Sequence, residues 1–145
     1  MGCQRDFTNR RSSAILQTSP PRRWRVEGIR MGSVEEHYQR GLALKQEGQY
    51  DEAQAEFRTV LEIDSGHAEA HRQLGLVFGF IGMFDEAIEE LLEAVRLDAS
   101  NLGARNDLAL TYCMLGMCEE AKAEFEAVLS ADPDNEVAKK NLVYF

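Results

Sequence analysis

Gly48, Gly82 and Gly116 lie 34 residues apart, and Ala53, Ala87 and Ala121 repeat that interval five residues further on. Two positions kept in step through three copies define a period, so the chain reads as an array of one supersecondary unit. A unit this short cannot hide its own apolar surface, so the copies must stack on one another to build a core.

Each unit reads as helix, turn, helix. In the middle copy His71, Leu74, Phe78 and Ile81 step by three or four, which predicts an apolar stripe along a helix of about four turns. Gly82 then stands where a helix end favours a residue free to take positive φ. Asp85 and Glu86 follow in the first turn of a second helix, where carboxylates interact well with exposed amides. Asp51-Glu52 and Glu119-Glu120 repeat the pair. The second helices carry Ala53, Phe57 and Val60; Ala87, Leu91 and Ala94; and Ala121, Phe125 and Val128. The alanine lets two helices approach, and the larger residue four on fills the gap beside it. An all-α fold of about seven helices is expected.

A hydrophobic content of 44% is near the globular average, so the chain can bury a core. The apolar run Leu74–Met83 is broken by three glycines and falls short of the roughly 18 residues that span a bilayer. Residues 1–30 carry seven arginines against Asp6 and Glu27, a net of +5, so the formal −9 of the chain leaves −14 for residues 31–145. An acidic body biases association toward basic partners and away from nucleic acid and anionic membrane. Cys3, Cys113 and Cys118 are odd in number and lack framework spacing, which points to a reducing, cytoplasmic setting.

Residues 1–33 mix Arg, Ser, Asn and Gln with Pro20-Pro21 and offer little apolar surface to offset the entropy of ordering. They are expected to form a disordered Arg-rich leader, or an extension ahead of a start at Met31. Met1-Gly2-Cys3 is a weak acylation match, because Asp6 stands where the pattern wants Ser or Thr. The Pro-Pro-Arg-Arg-Trp-Arg cluster at 20–25 carries charge and one ring that nucleic acid would accept, but no nucleic-acid partner is expected.

The repeating residues resemble the tetratricopeptide repeat, whose pattern is W-x2-L-G-x2-Y, then A-x3-F, then P. Residues 68–101 match with His71, Leu74, Gly75, Phe78, Ala87, Leu91 and Ala99. Residues 102–135 match with Arg105, Leu108, Ala109, Tyr112, Ala121, Phe125 and Pro133, and residues 34–67 with His37, Arg40, Gly41, Leu44, Ala53, Phe57 and Ser65. Departures gather at the tryptophan place, which holds His37, His71 and Arg105. Residues 136–145 begin like a fourth copy and end as a short cap expected to bury Leu142 and Val143. The resemblance implies a right-handed solenoid of antiparallel helix pairs, with first helices lining a concave groove that holds a peptide or helix of a partner.

On that groove face the resemblance, offset by one step from the core stripe, places Tyr38, Leu42 and Lys45, then Arg72, Leu76 and Phe80, then Asn106, Leu110 and Met114. The six apolar members would bury a partner's apolar side chains, while Arg72 and Asn106 would hold its backbone or carboxylate. The Lys, Asn and Arg clamp by which some family members hold a C-terminal carboxylate is absent: Tyr38, Leu42, Gly103 and Asp107 stand at its places. No catalytic, cofactor or metal residue is expected. His67 and His71 are four apart, but His67 falls before the helix. Cys113 and Cys118 flank the turn glycine and are expected to pack in the core. Glu89, Glu90 and Glu93 read as a solvated convex face. The expected function is a non-enzymatic scaffold binding a protein or peptide with apolar anchors and basic character, without membrane contact. Alternatives are a small chaperone for a secreted or membrane-active protein, and self-assembly as a weak homodimer through the apolar end.

Overall fold

The computed structural model describes residues 22–145, with side chains described from Val34 onward. Among the described residues there are seven helices: α1 (Arg22–Gln46), α2 (Tyr50–Ile63), α3 (Ala68–Phe80), α4 (Phe84–Leu97), α5 (Leu102–Met114), α6 (Cys118–Ala131) and α7 (Glu136–Leu142). Glu35–Phe145 forms one compact unit, which holds the array. The leader expected over residues 1–33 divides: residues 1–21 lie outside the described residues, while 22–33 continue α1 toward its N-terminus. No proline interrupts residues 22–46, and extending an existing helix needs no new nucleus.

The same two loop types alternate down the array. Within each pair the turn glycine takes positive φ, at +81° for Gly48, +85° for Gly82 and +75° for Gly116. The residue after each glycine reaches back to a carbonyl in the preceding helix, as Gln49 to Leu44, Met83 to Phe78 and Met117 to Tyr112 at 2.8–2.9 Å, which satisfies a carbonyl the helix end would leave unpaired. Between pairs Asp64, Asp98 and Asp132 accept, through Oδ1, the backbone N–H two residues on, an Asx turn. His67, Asn101 and Asn135 then cap α3, α5 and α7 by accepting the amides of Ala70, Ala104 and Ala138.

The core lies between helices and between pairs. Ala53, Phe57, Val60, Ala87, Leu91, Ala94, Ala121, Phe125 and Val128 are fully buried, and burying each larger one contributes about 1.5–3 kcal/mol. Gly41 and Gly75 mark the closest approaches: a Cβ on Gly41 would stand 2.6 Å from the Phe57 ring, and one on Gly75 2.8 Å from Leu91.

Three packing expectations are corrected. Ile81 is 36% exposed, because α3 ends at Phe80 and the helical spacing that would turn Ile81 inward no longer applies. Val143 is 75% exposed because α7 stops at Leu142; Leu142 and the fully buried Ala138 pack against the third pair, and the Phe145 ring lies 6.4 Å from that of Phe125. Cys118 is exposed while Cys113 packs against the core, since Cys118 opens α6 on the far side of the turn.

Candidate functional site

Helices α3 and α5 bring Leu76, Phe80, Leu110 and Met114 around a cavity of about 220 Å³, completed by Gly75, Gly79, Asp107 and Thr111. Gly79 opens this space, since a Cβ there would meet nothing within 4 Å. Phe80 and Met114 remain 58% and 64% exposed. Tyr50, the first residue of α2, stacks on Phe80 with ring centres 5.3 Å apart and orients the ring from the neighbouring pair. The cavity is apolar, open and built by four of the six apolar groove residues expected from sequence.

Toward the N-terminal ends of the same helices lies a polar chain. Lys45 Nζ donates to Gln73 Oε1 at 2.7 Å, and Gln73 Nε2 donates to Glu69 Oε1 at 3.0 Å. Arg72 donates through Nε to Asp107 Oδ2 at 2.6 Å and through Nη1 to Glu69 Oε1 at 3.2 Å. Asn101 Nδ2 donates to Glu69 Oε2 at 3.0 Å. A Cβ on Gly103 would stand 2.9 Å from Arg72 Cζ, so the guanidinium lies across that glycine. Two cations and two carboxylates make the chain neutral. Burial, then the nearby Arg72 charge, pushes the Lys45 ammonium down. Burial also opposes the Arg72 charge, but its hydrogen bond and attraction to Asp107 outweigh that and raise it. Asp107 is pushed up, because burial exceeds what Arg72 and Lys45 return; burial thus works against the charge of Asp107 as it does against that of Lys45.

The remaining expected groove residues are placed differently. Tyr38 and Leu42 pack against the core formed by α2, α3 and α4. The Tyr38 ring lies 5.9 Å from Phe57 and 5.2 Å from His67, and burial, then Glu69, pushes its phenol up to about 12. Lys45 and Arg72 are half-buried and already bonded within the chain. Asn106, expected to hold a partner, is 6% exposed. Its Nδ2 donates to Asn135 Oδ1 at 3.1 Å and its Oδ1 has no partner. Tyr38, Arg72 and Asn106 all face the N-terminus of the following first helix; Arg72 is long enough to reach along it to Asp107, whereas Asn106 is short and is covered.

A recurring pair was missed. At the family's tryptophan place, His37 Nδ1 meets Glu56 at 2.7 Å, His71 Nδ1 meets Glu90 at 2.7 Å, and Arg105 Nη1 meets Glu124 at 2.9 Å. Each tie joins first to second helix 19 residues on, so Glu90 is paired rather than free. The signal was the column Glu56, Glu90, Glu124 at the repeat interval. Burial works against the Glu56 charge, yet the hydrogen bonds from His37 and Arg40 outweigh it and hold the carboxyl below its ordinary range. Among the described residues, no group of three or more His, Cys, Asp or Glu is placed to hold a metal, and no helix is long and apolar enough to cross a membrane.

Helix pairs stacked at a fixed interval, with an open cavity between successive first helices, define a helical-repeat solenoid. A tetratricopeptide repeat family model matches residues 82–142, and a second repeat model of that family matches residues 41–79. The chain belongs to the tetratricopeptide repeat family. Among solved structures it is similar to the Arabidopsis OM64 TPR domain, at 22% identity and TM-score 0.72, over 76% of this chain and 91% of that one. It is also similar to the second TPR domain of human RPAP3 in complex with an HSP70 peptide, at 27% identity and TM-score 0.70, over 74% and 90%. A third is the first TPR of Spaghetti (RPAP3) bound to an HSP90 peptide, at 23% and 0.74, over 77% and 88%. Comparison with curated protein sequences returns no match.

Proposed function

We propose that the array is a non-catalytic scaffold that takes a peptide or helix of a partner protein in its concave groove. The observation that carries this is the open cavity between α3 and α5, where Leu76, Phe80, Leu110 and Met114 face a space of about 220 Å³. That is room for one or two apolar side chains, each contributing about 1.5–3 kcal/mol when buried. Two structural neighbours have peptides bound, which supports a peptide as the ligand class. The charge of −14 on residues 31–145 favours a partner with basic residues around those anchors. A cytoplasmic setting belongs to this reading and rests on the odd, unframed cysteines.

The groove is suited to side chains rather than to a chain end, because Arg72 and Lys45 are engaged by Asp107, Glu69 and Gln73. Matched peptides ending in a free acid and an amide should bind within about threefold of each other, a difference of at most about 0.7 kcal/mol. The test is selection from a random peptide display library, followed by fluorescence anisotropy of the selected peptides. Leu76→Ser and Phe80→Ser together should weaken binding by at least about tenfold with helicity unchanged. Selected peptides that bind this variant as well as the parent refute the groove.

A further inference from the structure

The turns that close the second and third first-helices carry apolar side chains at the same three places. Phe80, Ile81 and Met83 are 58%, 36% and 39% exposed, and Met114, Leu115 and Met117 are 64%, 39% and 36% exposed. The corresponding turn of the first pair holds Gln46, Glu47 and Gln49, all exposed. The fold therefore does not require apolar residues there.

Met83 and Met117 are the N-caps of α4 and α6, and neither makes a side-chain cap hydrogen bond. Ser, Thr, Asp or Asn at such a place accepts an amide the helix would otherwise leave unpaired. This chain uses that chemistry elsewhere, at His67, Asn101 and Asn135. Two helices thus begin on an exposed thioether where a cap would stabilise them. Gln49 likewise precedes α2 without a side-chain cap, so the missing cap belongs to this register in all three pairs. What sets the second and third apart is a part-exposed methionine there beside two further apolar side chains, and that difference marks a surface kept for recognition. Methionine suits that role, since its unbranched, polarisable side chain adapts to differently shaped apolar partners.

The surroundings specify the occupant. Asp85 and Glu86 open α4, Glu119 and Glu120 open α6, and all four are exposed. The last turns of α3 and α5 carry no basic residue. An apolar ridge rimmed by carboxylates repels anionic lipid and fits a surface that is itself apolar and cationic.

We propose that this ridge is a second docking surface, outside the groove, for an amphipathic helix of a partner protein with apolar residues on one face and Lys or Arg along its flanks. Phe80 and Met114 also line the groove cavity, so the ridge continues from it, but Ile81, Met83, Leu115 and Met117 belong to the ridge alone. The proposal stands on their exposure and on the contrast with the polar turn of the first pair, not on the groove reading.

The test uses the full chain and three synthetic peptides of about 18 residues, five helical turns. One sets Leu on one face and Lys on the other, one replaces each Lys by Glu, and one scrambles the Leu/Lys order. Binding by anisotropy should appear for the first peptide and be weaker by at least about tenfold for the others. Ile81→Ser, Met83→Ser, Leu115→Ser and Met117→Ser combined should lose it by the same factor, while Leu76→Ser keeps it within about threefold. The serines at 83 and 117 can cap their helices, so the combined variant is expected to stay folded, which circular dichroism checks. Equal binding to parent and ridge variant overturns the proposal, as does equal binding of the scrambled peptide. Loss confined to Leu76→Ser would assign the peptide to the groove and also overturn it. Sedimentation with phosphatidylserine vesicles, without peptide binding, would assign the ridge to a membrane instead.

Discussion

Gly75 and Gly79 sit one turn apart on α3 and should respond in opposite directions to the same added methyl. Replacing a helical glycine by alanine gains about 0.8–1 kcal/mol from reduced backbone freedom in the unfolded chain. At Gly79 nothing stands within 4 Å of the new Cβ, so Gly79→Ala should keep most of that gain, about 0.5–1 kcal/mol this near a helix end. At Gly75 the new Cβ would lie 2.8 Å from Leu91 Cγ, 3.2 Å from Leu91 Cδ2 and 3.1 Å from the Ala87 carbonyl oxygen. Leu91 is fully buried and Ala87 O is backbone, so neither can yield without parting α3 from α4. Overpacking of this kind costs about 1–3 kcal/mol, leaving Gly75→Ala less stable than the parent by about 1 kcal/mol and less stable than Gly79→Ala by about 2. Urea unfolding followed by far-UV circular dichroism resolves such a difference as a shift in midpoint at constant slope. A Gly75→Ala chain as stable as Gly79→Ala would refute the claim that glycine is required for the close approach of these helices. Because the Gly79 methyl would enter the groove cavity, that variant should also bind groove peptides less well while unfolding later.

Met83→Ser and Met117→Ser should each stabilise the array by about 0.5–2 kcal/mol by restoring an N-cap, read as a raised thermal midpoint. Glu56 has its carboxyl held below the ordinary range by His37 and Arg40; its contribution is therefore present above that range and lost as pH falls through the lowered folded-state value. Glu56→Gln should be less stable near neutrality and lose less on acidification, measured as urea midpoint against pH. Asp107→Asn should release Arg72 from its 2.6 Å partner, so that a free-acid peptide gains up to about tenfold over its amide, an advantage the parent lacks.

What the sequence made legible was whatever repeats. The glycine turns and the buried alanines recur at one interval and carry the helix pairing with them. Leu76, Phe80, Leu110 and Met114 followed because a step along a helix places them beside the core stripe whatever the superhelix does. Arg72 could not be read in the same way, since its partner Asp107 lies 35 residues on and their meeting depends on how one pair is rotated on the next. Asn106 occupies the same register as Arg72 and is covered by α7's N-terminal loop, a consequence of side-chain length that no periodicity encodes. His37, His71 and Arg105 stand in the sequence as three separate departures from the family's tryptophan. They are three substitutions of one kind, visible once the matching glutamates are aligned beside them.

The bond between Arg72 and Asp107 also has a kinetic and selective side. A carboxylate tethered at contact distance acts as a competitor present at a local concentration on the order of millimolar or above, and it is not diluted away. Any anionic guest seeking Arg72 must first displace a host group that is always at hand, whereas an apolar side chain entering between Phe80 and Met114 meets no such rival. On the proposed function the groove would thereby screen against acidic guests before it recognises any ligand, with Asp107 and Glu69, the two carboxylates bonded to Arg72, setting the strength of that screen.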